Sequence, residues 1–130
     1  MTVPAFLLSA EATFSAAHTL PGVEKCERFH GHNWRVRLTV RADGDGLDET
    51  GMAVDFRLIE DALREAVADF DHAHLNELAP FREYAPSAER LALVVCSRCT
   101  ERLAQVAPHT HVDAVEIWET PQYRVIYRPA

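Results

Sequence analysis

The spacing of apolar positions changes period twice along this chain, from two to between three and four and back to two. Residues 5–18, "AFLLSAEATFSAAH", read as a strand ending in small residues. Residues 32–42, "HNWRVRLTVRA", set Trp34, Val36, Leu38 and Val40 against Asn33, Arg35, Arg37, Thr39 and Arg41. That alternation is the pattern of a half-buried antiparallel strand. "ADGDGLDETG" is turn chemistry, with two Asp-Gly steps, and a short strand is expected to resume over 51–55. Asp55 is placed to cap a helix over 56–70, where Phe56, Ile59, Leu63, Ala66, Val67 and Phe70 form one stripe. The stretch "DHAHLNELAPFREYAP" is irregular. A second helix is expected from Ser87, with Glu89 in its first turn and Leu91, Val95, Cys99 and Leu103 four apart, ending before Pro108. Two strands, "HVDAVEIWET" and "YRVIYRP", flank Pro121. The order β–β–α–α–β–β, with no alternating βαβ units, predicts an α+β fold: an antiparallel sheet with helices on one face.

Composition narrows the function classes without choosing among them. A chain of 130 residues, 48% hydrophobic and 25% charged, is sized for one domain with a real core. Its formal net charge of -7 argues against sequence-independent binding to nucleic acid, which needs a basic face. The early apolar run "VPAFLLSA" is too short to span a membrane and carries no basic leader, so a cytoplasmic chain with no membrane partner is expected. Three cysteines, Cys26, Cys96 and Cys99, are an odd number and do not suggest a disulfide framework. The P-loop, dinucleotide-binding, zincin and nucleophile-elbow motifs do not occur in the sequence.

The seven histidines carry the chemistry, because six of them form His-x-His pairs. In a strand, His30 and His32 point to one face, and a preceding antiparallel strand would bring His18 beside them. Three imidazoles with no close carboxylate make a plausible set for zinc and leave a fourth position open. Cys26, four residues before His30, is either a fourth ligand closing a structural site or a nucleophile or base beside the metal. Spacing leaves both open. Asp71 and His72 can share a hydrogen-bond network in which the acid sets the tautomer, or can belong to a polar loop with His74. His109 and His111 have no companion ligand nearby. "CSRC", Cys96 to Cys99, falls on a helix stripe and reads as core packing. Glu116 reads as a solvated strand residue, whereas Glu119 stands at a strand end where a carboxylate could grip a donor-rich ring. Lys25 and Arg28 flank Cys26 and are candidate phosphate contacts; Arg35 and Arg37 read as a solvated face.

Taken in order, "FSAAHTL", "KCERFHGHNW", "GMAVDF", "DHAHLN", "PSAE" and "WET" before "YRVIYRP" resemble the 6-pyruvoyltetrahydropterin synthase / 6-carboxytetrahydropterin synthase family across the whole chain. The resemblance implies a tunnelling fold, an antiparallel four-stranded sheet with two helices on one face, assembled into homo-oligomeric rings that pair as hexamers with active sites between subunits. It implies zinc on His18, His30 and His32, and a catalytic set of Cys26, Asp71 and His72. It also implies a pterin anchor at Glu119 with Thr120 alongside. The three-residue gap in "C-ERF-HGH" is similar to bacterial 6-carboxytetrahydropterin synthases of the queuosine-type deazapurine pathway, while 6-pyruvoyl enzymes carry a longer spacer. On that basis the expected activity is a zinc lyase acting on 7,8-dihydroneopterin triphosphate. The alternatives are 6-pyruvoyltetrahydropterin synthase and a non-catalytic zinc module. The sequence departs from the family at Pro86-Ser87-Ala88-Glu89, where Pro-Thr-x-Glu is common, and at Trp34 and Trp118.

Overall fold

The computed structural model describes residues 4–22, 30–44 and 46–130. Strand β1 (Ala5–His18) pairs antiparallel with β2 (His30–Asp43) in one unbroken register, from Ala5 opposite Asp43 to His18 opposite His30. Helix α1 (Phe56–Val67) follows, then a two-residue strand β3 (Ala73–His74) and 3-10 turns at Leu75–Glu77 and Ala79–Phe81. Helix α2 (Ala88–Val106) leads into β4 (Thr110–Thr120) and β5 (Tyr123–Tyr127). The sheet order is β3-β1-β2-β4-β5.

The expected four antiparallel strands are present, but the sheet has five, and β3 lies parallel to β1 through Ala16–Ala73 and Ala17–His74. Two residues are too few to show a period, so β3 is set by its hydrogen-bonding surroundings rather than by an apolar pattern. The strand expected over 51–55 does not form. Instead Asp48 Oδ1 accepts from the amides of Thr50 (2.8 Å) and Met52 (3.0 Å), a local turn that competes with a strand. Helix α1 ends at Val67 rather than 70; Phe70 stays in the core, its amide donating to the Val67 carbonyl.

The two-residue period of β2 turns Trp34, Val36, Leu38 and Val40 onto one face, where all four are fully buried. Both helices lay their stripes on that face. Ile59 and Leu63 come from α1, and Leu91, Val95, Cys99 and Leu103 from α2. Burying each such side chain contributes about 1.5–3 kcal/mol. Cys96 and Cys99 are both buried, and burial pushes the Cys99 thiol up to about 12, so the Cys-x-x-Cys is inert packing.

The opposite face of the sheet carries charge. Arg35 and Arg37 both bond Glu11, and the Arg35 guanidinium sits 4.0 Å from the centre of the Trp118 ring. Glu116 is not the solvated residue its alternation suggested. It is nearly buried between Arg37 (3.3 Å) and Arg124 (3.2 Å).

Each helix start is capped by a side chain. The Asp55 carboxylate accepts from the Arg57 amide, and the Ser87 hydroxyl accepts from the Arg90 amide at 3.1 Å. Ser87→Ala should lower the unfolding free energy by about 1 kcal/mol, with Ser87→Asp close to the original, as read by urea denaturation. Identical midpoints for Ser87→Ala and the unaltered chain would mean that the cap adds nothing to stability.

Candidate metal centre

The end of the β1–β2 ladder brings the site together. His18 is the last residue of β1, its partner His30 is the first of β2, and His32 follows on the same face. The three rings stand edge to face, with centres 4.5 Å (His18–His30), 4.7 Å (His30–His32) and 5.3 Å (His18–His32) apart. Glu119 joins them from β4. One ligand atom from each of His18, His30, His32 and Glu119 can be chosen so that all four lie within 4.8 Å of one another. The expectation of no nearby carboxylate therefore fails. Glu119 lies two residues beyond buried Ile117, and the alternation along β4 gives both the same face. Knowing the β2–β4 register would have placed it beside the histidines.

Trp34 forms the floor. It is the next residue after His32 on this face and is fully buried, with its ring 5.0 Å from that of His18 and 5.4 Å from that of His32. Its indole N–H donates to the Ala16 carbonyl at 3.2 Å, which satisfies the one polar atom of the side chain.

His18 is fully buried, and its Nδ1 lies 2.8 Å from the Pro86 carbonyl oxygen. A carbonyl only accepts, so Nδ1 carries the proton and Nε2 keeps its lone pair. Burial is the main force holding His18 below the usual histidine range. The Pro86 bond and Glu119 pull the other way, and the neighbouring imidazoles add to the depression. Burial also lowers His32, against the pull of Glu119. Both rings are thus disposed to be neutral, the state in which imidazole binds a metal.

The donor set fits an ion. Nε2 of His18 and Nε2 of His32 are buried with no hydrogen-bond partner. Glu119 Oε1 is 3.9 Å from the first and 3.1 Å from the second, and the closer approach lacks hydrogen-bond geometry. Leaving such an atom unsatisfied costs about 1–3 kcal/mol. A cation between the rings and the carboxylate would satisfy both nitrogens and offset the acid's charge.

Asp71 and His72 form a second unit at the β1 edge. Asp71 Oδ1 accepts from the Ser15 amide at 3.0 Å, and Oδ2 lies 3.0 Å from His72 Nδ1. The His72 amide donates to the Ser15 carbonyl at 2.6 Å. The Ser15 amide, and after it His72, holds the Asp71 carboxyl below its usual range. His72 has φ 57, the one positive φ at a non-glycine among the described residues. Such backbone strain persists where surrounding bonds over-determine it, and it clusters at functional positions. The His72 side chain is 83% exposed, in contrast to buried His18. Its neighbour His74 is in β3 rather than in a loop, with Nδ1 3.6 Å from Glu77 Oε1.

The remaining candidates fall elsewhere. Thr120 Oγ1 accepts from the Gln122 amide at 3.3 Å and closes the β4–β5 turn beside Glu119. His109 Nε2 lies 2.9 Å from the Ala53 carbonyl oxygen, and His111 stands 3.6 Å from Asp43. Lys25, Cys26 and Arg28 lie outside the described residues. The bonds of Pro86 and Asn76 to the end of β1 had no signal in spacing or motif, since they depend on how the irregular stretch folds back.

The chain is similar to known proteins over nearly its whole length. The family model described as 6-pyruvoyl tetrahydropterin synthase matches residues 7–130. A 6-carboxy-5,6,7,8-tetrahydropterin synthase from Synechocystis sp. is 34% identical over 119 residues, 88% of this chain and 87% of that protein. A 6-pyruvoyl tetrahydrobiopterin synthase from Drosophila melanogaster is 30% identical over 140 aligned positions, 96% of this chain and 80% of that protein. The solved 6-pyruvoyl tetrahydropterin synthase of Caenorhabditis elegans shares the fold, with a TM-score of 0.82 over 100% of both chains at 23% identity. Sequence and fold thus converge on one conclusion: the chain belongs to the 6-pyruvoyl tetrahydropterin synthase family.

Proposed function

We propose that this chain is a zinc-dependent lyase that converts 7,8-dihydroneopterin triphosphate and water to 6-carboxy-5,6,7,8-tetrahydropterin, releasing acetaldehyde and triphosphate, in queuosine-type deazapurine synthesis. The observation that carries this reading is the convergence of His18, His30, His32 and Glu119 on one point, with buried imidazole nitrogens left for a ligand. The three-residue spacer between Cys26 and His30, together with the 6-carboxy relatives, supports the choice of product.

In this reading His18, His30 and His32 hold the zinc. When bound, the ion supplies Lewis acidity to the vicinal side-chain oxygens of the pterin and acidifies the adjacent C–H. The Cys26 thiolate takes a side-chain proton. His72 exchanges protons on the other side, its tautomer set by Asp71, which is itself held ionised by the Ser15 amide. Glu119, whose side chain is 24% exposed, offers a carboxylate to the donor edge of the pterin, with the Thr120 hydroxyl beside it. Lys25 and Arg28 supply positive charge for the triphosphate.

An exposed His72 on the sheet edge suits a site shared between chains, so the working unit is a homo-oligomer, a hexamer in this reading, with Cys26 and His72 of one site on different subunits. The location proposed is the cytoplasm; no helix among the described residues is long and apolar enough to cross a membrane.

The second reading is 6-pyruvoyltetrahydropterin synthase, favoured by the Drosophila relative, which is similar over most of both chains. Mass spectrometry of the product from dihydroneopterin triphosphate decides between them. The 6-carboxy product with acetaldehyde is expected, and a 6-pyruvoyl product would reverse the assignment.

Cys26→Ala should lose turnover by about a hundredfold or more while zinc stays near one per chain. Loss of the metal in that variant would make Cys26 a ligand instead. His72→Ala should bind the pterin as before with kcat about a hundredfold or more lower. An unchanged kcat removes His72 from the chemistry.

A further inference from the structure

The irregular stretch between α1 and α2 is stitched to the last residues of β1 at successive points. Asp71 and His72 grip both backbone groups of Ser15. Ala73 and His74 pair with Ala16 and Ala17. The Pro86 carbonyl holds the ring of His18. Between these contacts the Asn76 side chain takes the next backbone position. Its Oδ1 accepts from the Thr19 amide at 2.9 Å, and its Nδ2 donates to the Thr19 carbonyl at 3.0 Å. The orientation of this amide is unambiguous, because a flip would set donor against donor and acceptor against acceptor.

A primary amide presents the same donor and acceptor as a peptide group, so Asn76 extends the β1–β3 ladder by one rung without backbone. The rung falls where it matters. His18 is the terminal residue of β1, and a strand end frays unless its backbone is tied down. Ser15 is held on one side of His18 and Thr19 on the other, which leaves the imidazole little freedom to turn away from His30 and His32. The same stretch carries Asp71 and His72, so one tether ties the ligand-bearing strand to the proton-transfer pair.

We propose that Asn76 is a positioning residue for the metal centre. Its clasp on Thr19 fixes the end of β1 so that His18 Nε2 meets the other ligands, and it couples that ligand to the segment bearing His72. The inference rests on the zinc-binding reading above. Removing a partner that orients a metal ligand typically weakens metal affinity about 10–100-fold.

The test is zinc affinity of the full chain without substrate, by competition against a chromophoric chelator. Asn76→Ala should raise the dissociation constant about tenfold or more while far-UV circular dichroism of the metal-free protein is unchanged. An affinity within about twofold of the unaltered chain would overturn the proposal, because a purely structural side chain would change stability and leave the native site intact. Asn76→Gln keeps the amide but displaces it by one methylene. It should show a smaller loss, and it takes over the same test if the alanine variant does not fold.

Hydrogen exchange of the Thr19 amide in the metal-free unaltered chain needs no variant. Clear protection is expected, and exchange at the rate of an unstructured amide would refute the clasp. Should the unaltered chain take up no zinc at all, the functional reading fails, and Thr19 protection alone then decides whether the clasp exists.

Discussion

The register between β1 and β2 is the constraint on which the rest of this molecule depends. The ladder runs without a bulge from Ala5–Asp43 to His18–His30, so one choice of alignment settles two things at once. It turns Trp34, Val36, Leu38 and Val40 into the core, and it sets His18 beside His30 and His32 on that same face. A slip of one residue would send the apolar set to solvent and the histidines to opposite sides of the sheet. The hydrophobic energy that fixes the register therefore also gathers the three histidines on one face, and contacts from the 71–86 stretch then hold the end of β1 in place.

The site sits where the sheet stops being apolar. Moving along the helix-covered face of β2, Leu38, Val36 and Trp34 give way to His32 and His30, and on β4 Ile117 gives way to Glu119. Trp34 marks the boundary, packed on Phe14 on one side and edge-on to two imidazoles on the other. Burial on this border keeps His18 and His32 below the usual histidine range, while the Pro86 carbonyl settles the His18 tautomer. Desolvation and second-layer bonding thus prepare the rings as ligands from opposite directions, one by discouraging the proton and the other by aiming the lone pair.

Much of this was legible because period is a local property. The alternation of β2, the stripes of both helices, the cap at Asp55 and the start of the second helix near Ser87 all follow from residues a few positions apart. The grouping of His18 with His30 and His32 needed only the further step that consecutive strands pair antiparallel. What escaped depends on distant register or on irregular backbone. Glu119 reaches the histidines through the β2–β4 alignment, and Glu116 is buried by arginines of two different strands. The two-residue strand β3, the Asn76 clasp and the Pro86 contact arise where 71–86 folds back on β1, a stretch with no apolar period to read. The strand expected near 51–55 failed for a related reason. The Asp48 side chain satisfied the backbone amides that a strand would have offered to a neighbour.

On the proposed function, zinc binds at the end of the β1–β2 ladder through imidazoles, with the cysteine of "CERFHGH" kept off the metal. X-ray absorption at the zinc edge of the purified full chain tests it most directly. Nitrogen and oxygen neighbours only are expected, at about 2.0–2.1 Å with the outer scattering of three imidazoles. A sulfur scatterer at about 2.3 Å, or fewer than three imidazoles, would contradict it.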